Sequence, residues 1–174
     1  SRLPSQPSSD IASDTSVPQV ADSGDAQATT LTHAHVGSKV LVVDDIALNR
    51  LLITRILEGH GFLVQEADSG EAAIESATEW RPDLICMDLR MPGMGGMEAA
   101  LRLRNMGADA LILALTATAL LAEQDDDGEL PIFDGVLAKP FLIKPFLALV
   151  TRLMNNKCNE SASTVMNSAS SSRG

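Results

Sequence analysis

Short β-branched or apolar runs alternate with helix-forming segments along the middle of this chain, and this alternation constrains its fold more than any other feature. The runs cover residues 40–43, 62–66, 84–87, 111–115 and 136–138. Most of the segments between them show apolar residues at the spacing of a helix face. Runs of this length and composition are typical of strands in a parallel sheet. The sequence therefore predicts a three-layer α/β fold, with five parallel strands and helices on both faces.

Several of the predicted helices have recognisable boundaries. The first shows a stripe at helical spacing, which consists of Leu48, Leu51, Leu52, Arg55 and Ile56. It should stop at Gly59 to Gly61, because glycines end helices readily. Ser69 is expected to cap the second helix, since its hydroxyl can accept a main-chain N–H of the first turn. The third helix is expected at 97–106 and the closing helix at 145–153.

The two ends of the chain differ in composition from the segment between them. Both ends are rich in small polar residues and show no helical or strand period, so they cannot bury enough apolar surface to offset the entropy of ordering. We predict a disordered linker or tail at 1–37, one folded domain at 38–154 and a disordered C-terminal tail at 155–174. The sequence does not begin with Met and shows no signal-like segment, and we interpret it as part of a longer protein.

The charge balance of the chain disfavours several classes of function. There are 13 Lys and Arg residues against 23 Asp and Glu, for a net charge of −10 at pH 7. A nucleic-acid surface needs clustered cations, so we expect no nucleic-acid partner. The longest apolar run, 110–122, is shorter than the roughly 20 residues of a membrane helix, so we expect no direct membrane contact. Two cysteines, Cys86 and Cys158, cannot form a disulfide framework, which favours a cytoplasmic location.

Charged or hydroxyl side chains follow four of the five predicted strands. These residues are Asp44 and Asp45, Asp88, Thr116 and Lys139. Ligands of an open parallel sheet bind outside the carboxyl ends of its strands, so we expect these side chains on one rim. Neighbouring carboxylates repel one another and need a cation, and carboxylate oxygens suit Mg²⁺. An aspartate beside Mg²⁺ and a lysine is a nucleophile suited to phosphoryl transfer.

Four segments around these positions resemble the motifs of the response regulator receiver domain, in order and at its usual separations. They are residues 42–45, 87–94, 114–117 and 138–141. The resemblance spans about 39–153 and implies a flavodoxin-like (βα)5 fold, doubly wound, with strand order 2-1-3-4-5. Asn49 and Arg50, followed by Leu51, are similar to the corresponding residues of receivers attached to hybrid sensor histidine kinases. This similarity implies the C-terminal receiver of such a kinase.

The resemblance also implies a role for each site residue in a two-component phosphorelay. Asp88 would be the phosphoacceptor, Lys139 would contact the phosphoryl group, and Thr116 would turn inward to it as the switch. The ligands of Mg²⁺ would be Asp44, Asp45, Asp88 and the main-chain carbonyl of Arg90. The phosphoryl donor would be a histidine kinase or a histidine phosphotransfer domain, and the receiver would be a monomer or a weak dimer. Such a receiver catalyses its own phosphorylation, while the sequence contains no kinase catalytic domain.

Two departures from the family pattern leave alternatives open. Val136 stands where the family usually has Tyr or Phe, three residues before Lys139, so we expect signalling through backbone shifts. The segment 118–133 is acidic and contains Pro131, where the family has a fuller helix. One alternative is a degenerate receiver that serves as a docking scaffold. The other is a Mg²⁺-dependent phosphohydrolase, which usually needs an acid two residues after its nucleophile, where this sequence has Arg90.

Overall fold

A five-stranded parallel sheet forms the centre of the molecule. A computed structural model describes residues 35–117 and 132–168. The strands are β1 (Lys39–Val43), β2 (Leu63–Ala67), β3 (Leu84–Asp88), β4 (Leu111–Thr116) and β5 (Gly135–Ala138). They pair in parallel in the order β2-β1-β3-β4-β5. The predicted doubly wound sheet and its strand order are confirmed, and each strand boundary lies within one residue of its predicted position.

Helices cover both faces of this sheet. They are α1 (Ala47–Glu58), α2 (Gly70–Trp80), α3 (Gly96–Asn105) and α4 (Ile143–Ser168). Side chains that alternate along β1, such as Leu41 and Val42, point to opposite faces, where α2 and α3 cover one and α1 and α4 the other. Because both faces are buried, the central strands β1, β3 and β4 are almost continuously apolar, whereas the edge strand β2 is largely exposed. The acidic segment 118–133, where the family has a fuller helix, lies outside the described residues, apart from Ile132 and Phe133.

The boundaries of α1 and α2 follow the local signals in the sequence. Helix α1 ends at Glu58, and Gly61 then adopts a φ of +88°, which glycine allows without a steric penalty. The Ser69 hydroxyl accepts the main-chain N–H of Ala72 at 3.3 Å and caps α2, with Glu71 in the first turn. Both the predicted stop and the predicted cap are confirmed.

Most of the stripe that marks α1 in the sequence does not pack on the sheet. Leu48, Leu51 and Leu52 are 73%, 47% and 58% exposed, whereas Ile53 and Leu57 are buried. The helix therefore has two apolar stripes, one exposed and one in the core. Helical spacing identifies α1 as a helix but cannot decide which of the two stripes faces the sheet.

Polar contacts account for the rotation of α1. Asn49 and Arg50 hydrogen-bond to Asp44 at the end of β1, and Thr54 hydrogen-bonds to Glu66 of β2. These three helix residues lie on the same side as the buried apolar stripe. Since buried polar groups need partners, the rotation that satisfies them turns the leucine stripe outward.

The closing helix is longer than expected. Helix α4 continues to Ser168, so residues 155–168 are helical rather than part of a disordered tail. The first half of α4 packs in the core through Phe146 and Val150 and provides a formed nucleus, from which each added residue gains a hydrogen bond. Lys157 ties the extension to the loop before β4 by donating to the main-chain carbonyl of Asp109 at 2.8 Å.

The folded unit also begins before the predicted boundary at residue 38. His35 is buried, and its Nε2 lies 2.6 Å from Oδ1 of Asn155 on α4. The main-chain N–H of Gly37 donates to the carbonyl of Gly61 at 2.8 Å. Residues 35–37 therefore pack against the domain instead of belonging to the predicted linker, and residues 1–34 lie outside the described part of the chain. No helix among the described residues is both long and apolar enough to cross a membrane.

Candidate functional site

Three carboxylates meet at the carboxyl ends of β1 and β3. Val43 lies opposite Met87 in the parallel pairing, so the next residues, Asp44 and Asp88, are neighbours. One carboxylate oxygen each from Asp44, Asp45 and Asp88 lies within 4.8 Å of the others. Asp44 and Asp88 are buried, and Asp45 is exposed. The site is thus a notch with two acids at its base and one at its mouth.

Lys139 provides a positive charge in the notch. It follows β5, and its main-chain N–H donates to the carbonyl of Thr116 at 2.7 Å, which ties the ends of β4 and β5 together. Its Nζ lies 2.8 Å from Oδ2 of Asp44 and 3.2 Å from Oδ2 of Asp88. Partial burial lowers the pKa of Lys139, but the hydrogen bonds and charges of the two aspartates outweigh it, and the net pKa is raised. Lys139 therefore remains an ammonium at neutral pH.

The two oxygens of Asp88 have different surroundings. Oδ1 accepts the main-chain N–H of Arg90 at 3.0 Å, and Oδ2 faces Lys139. Thr116 is buried at the end of β4, the strand that pairs with β3 beside Asp88. The structure thus brings the predicted acceptor, lysine and threonine to one rim and places the main chain of Arg90 against Asp88.

The notch holds more negative than positive charge. Its three carboxylates face the single ammonium of Lys139 within this group of residues. Like charges at this separation destabilise one another unless a cation joins them. Carboxylate oxygens match the ligand preference of Mg²⁺, and the donor set therefore fits a magnesium ion.

Gly96 at the first turn of α3 has a structural role that its sequence context did not reveal. A Cβ at this position would overlap the main-chain carbonyl oxygen of Asp88 and lie 2.9 Å from Cα of Leu89. A Cβ on the preceding Gly95 would meet ordinary contact distances only. The close approach of α3 to the end of β3 thus requires glycine at one of two adjacent positions, and no local sequence pattern distinguishes them.

Comparison with known proteins identifies the family of this chain. The profile described as "Response regulator receiver domain" matches residues 40–151. The chain belongs to the response regulator receiver family. The chemotaxis protein CheY of Bacillus subtilis is 36% identical to this receiver over 113 residues, which cover 63% of this chain and 88% of CheY. Other curated relatives are longer, and the chain spans 37% to 56% of their length.

Solved structures of other receivers show the same fold. The response regulator TrrA from Thermotoga maritima, in complex with Mg²⁺ and BeF, is 30% identical with a TM-score of 0.60, over 67% of this chain and 98% of TrrA. The receiver domain of the sensor histidine kinase PA1611 from Pseudomonas aeruginosa, with magnesium in its active site cleft, is 30% identical with a TM-score of 0.60. That match covers 69% of this receiver and 99% of the PA1611 domain.

Proposed function

We propose that this receiver accepts a phosphoryl group on Asp88 from a phosphohistidine in a Mg²⁺-dependent reaction. The observation that supports the proposal most directly is the notch itself, where Asp88 lies beside two further acids and 3.2 Å from the ammonium of Lys139. Phosphoryl transfer needs a positioned nucleophile and charge neutralisation, and these groups supply both.

In the proposed reaction, a carboxylate oxygen of Asp88 forms a bond to phosphorus while the bond from phosphorus to the histidine nitrogen breaks. The imidazole of the donor leaves with the electron pair of that bond. Mg²⁺, held by Asp44, Asp45, Asp88 and the main-chain carbonyl of Arg90, would neutralise charge on the transferring group. Lys139 lies near Oδ2 of Asp88 and can donate to a phosphoryl oxygen. The main-chain N–H of Arg90 holds Oδ1.

The phosphoryl group on Asp88 would be read out through the ends of β4 and β5. Thr116 would turn its hydroxyl toward the new phosphoryl oxygens, and its carbonyl is bonded to the main chain of Lys139 at 2.7 Å. A shift at one strand end is therefore transmitted to the other. Val136, on β5 opposite Ala114 of β4, offers no aromatic side chain to swing, so the readout would consist of main-chain movement.

We further propose that the donor is a histidine kinase or a histidine phosphotransfer domain in the cytoplasm. The likeness to the PA1611 receiver and the Asn49-Arg50 pair supports a place in a hybrid sensor histidine kinase. The receiver would act as a monomer or weak dimer, by conformational change or by onward transfer to another histidine. Docking without phosphorylation and hydrolysis of phosphate esters are the alternatives that the following experiment tests.

Intact-mass spectrometry after incubation with phosphoramidate and Mg²⁺ tests the proposal. Wild-type protein and the control Asp109→Asn, an exposed acid at the other end of the sheet, should each gain one phosphoryl group. Asp88→Asn should gain none, and EDTA should prevent the gain in the wild type. No adduct on the wild type, while another receiver is modified in the same buffer, would leave the scaffold alternative. Steady release of phosphate from a simple ester would instead support the hydrolase.

A further inference from the structure

The face of α1 that is directed toward the sheet contacts Asp44. Nδ2 of Asn49 lies 3.4 Å from Oδ1 and 3.2 Å from Oδ2 of Asp44, so one amide spans the carboxylate. Nη1 of Arg50 donates to the main-chain carbonyl of Asp44 at 2.7 Å. Two consecutive helix residues thus hold both the side chain and the main chain of one aspartate.

Arg50 is itself held by a second layer of contacts. Its Nε lies 3.4 Å from Oε2 of Glu66 on β2, and the guanidinium side chain is 17% exposed. The other oxygen of Glu66 accepts the hydroxyl of the buried Thr54 at 2.8 Å. The chain of contacts runs from Thr54 through Glu66 and Arg50 to Asp44, and it joins α1, β2 and the end of β1.

We propose that Asn49 and Arg50 are positioning residues for Asp44, and that they set its carboxylate in the orientation in which it joins Mg²⁺ binding. The inference rests on the proposed function, because it concerns the same metal site. The inference gives Asn49 and Arg50 a role in the metal site. The sequence resemblance used the same pair only to relate the chain to receivers of hybrid sensor histidine kinases.

The distribution of donors around Asp44 supports this role. Oδ1 accepts the main-chain N–H of Ile46 at 2.8 Å, and Oδ2 accepts Lys139 at 2.8 Å. The Asn49 amide contacts both of these oxygens and opposes rotation of the carboxylate out of this orientation. As a neutral donor, it fixes the carboxylate without cancelling the negative charge that attracts a cation. Hydrogen bonds to the residues around a metal site commonly control metal affinity in this way.

The charges around Arg50 also support a positioning role for this residue. A cation this close to the rim would compete with Mg²⁺ if it paired with the carboxylates. Glu66 balances the charge of Arg50, and the Arg50 contact to Asp44 is made to the main-chain carbonyl. Arg55 on the outer side of α1 provides a comparison, because it is 74% exposed and pairs with Glu58 at 3.8 Å.

Mg²⁺ titrations followed by amide chemical shifts test the inference in the full chain. Asn49→Ala and Arg50→Gln should bind Mg²⁺ about 10- to 100-fold more weakly than wild type, as expected for partners of metal ligands. Thr54→Val, which removes the hydroxyl contact to Glu66, should cause a smaller loss in the same direction. The control Arg55→Gln should bind like the wild type. At saturating Mg²⁺, the rate of phosphorylation of Asn49→Ala by phosphoramidate should return close to the wild-type rate.

The possible results separate this inference from the proposed function. Wild-type affinity in Asn49→Ala and Arg50→Gln, or a rate that stays low at saturating Mg²⁺, overturns the positioning role and leaves the proposed function intact. A wild type that binds no Mg²⁺ and gains no phosphoryl group overturns the proposed function, and the inference with it. If Asn49→Ala or Arg50→Gln unfolds, the Mg²⁺ affinity of Thr54→Val decides between the outcomes, because the Thr54 hydroxyl bonds to Glu66 rather than to Asp44. Its affinity is then either reduced, as proposed, or unchanged, which overturns the inference.

Discussion

The two ends of the sheet both hold charged side chains, but these side chains bond to different partners. At the carboxyl end, Asp44 and Asp88 share the ammonium of Lys139. At the amino end, Arg104 and Asp134 bond mainly to main-chain groups of the loops around β4. Charges that bond to the main chain fix the structure, whereas charges that face one another in excess remain available to a ligand.

The amino end shows the structural use of charge in detail. Arg104 donates to the main-chain carbonyls of Ala110 at 2.8 Å and Ile132 at 3.1 Å, and it pairs with Asp134 at 2.6 Å. The same oxygen of Asp134 accepts the main-chain N–H of Ile112 at 2.8 Å. One ion pair thus satisfies main-chain groups from three segments, and its charges balance. The Arg104–Asp134 pair therefore has no net charge with which to attract a metal ion.

The carboxyl end is positioned by close main-chain packing rather than by balanced charges. Substituting Gly96 by alanine should therefore have the largest effect on stability, about 3 kcal/mol, because the new methyl group overlaps the carbonyl of Asp88 and overpacked sites relax poorly. Urea unfolding measures the loss. The matched control Gly95→Ala, which meets only ordinary contacts, should change the free energy of unfolding by less than about 1 kcal/mol. Equal effects at both positions would contradict the role of close packing.

At the amino end of the sheet, removal of the Arg104 side chain should lower the free energy of unfolding but leave phosphorylation unchanged. Arg104→Ala should lower the free energy of unfolding by about 2 kcal/mol, because its charged hydrogen bonds to the main-chain carbonyls of Ala110 and Ile132 are lost. The control Arg102→Ala, on the same helix but exposed and paired with Glu98 one turn away, should cost less than about 0.5 kcal/mol. Phosphorylation of folded Arg104→Ala by phosphoramidate should match the wild type. A reduced extent of phosphorylation in the folded variant would break the distinction between the two ends.

The charge of the carboxyl end can be tested through pH. The raised pKa of Lys139 means that its pairing with the aspartates stabilises the metal-free protein at pH below about 10.4, the ordinary lysine value. This contribution is lost as the pH rises through the raised value in the folded protein. Lys139→Met should therefore be less stable than wild type at neutral pH. The difference in melting temperature between the two proteins should become smaller at alkaline pH. Thermal unfolding in EDTA would show it, with Lys144→Met, an exposed lysine of α4, as the pH-independent control. A difference in melting temperature that does not change with pH would contradict the pairing of Lys139 with the aspartates.

The sequence predicted the sheet well because each strand is decided locally. The runs of β1, β3 and β4 are almost continuously apolar, as is typical of strands buried on both faces of a parallel sheet, and Cys86 lies within one of them. Burial raises the pKa of the Cys86 thiol to about 12, in keeping with its interior position in β3. The charged residues after the runs were also readable, because parallel strands bring their carboxyl ends to one rim.

The sequence did not show which stripe of α1 is buried or how far α4 extends. Both stripes of α1 are apolar, and the choice depends on where Asn49, Arg50 and Thr54 find partners on β1 and β2. Residues 155–168 lack any helical period, and their first turns gain support from contacts to His35 and Asp109 that are distant in sequence. Non-local contacts decided both features, and a local pattern does not contain them.

By itself, the amino-acid sequence determined the order of strands and helices and the set of side chains at the rim, because apolar period and residue type act within a few positions of each other. The tertiary structure decided how these side chains bond. In the folded protein, Lys139 bridges Asp44 and Asp88, Asn49 hydrogen-bonds to Asp44, and the close approach of α3 to β3 requires glycine at position 96. Distances between atoms from different elements exist only after the elements pack, which is why the chemistry of the notch could be anticipated but its geometry could not.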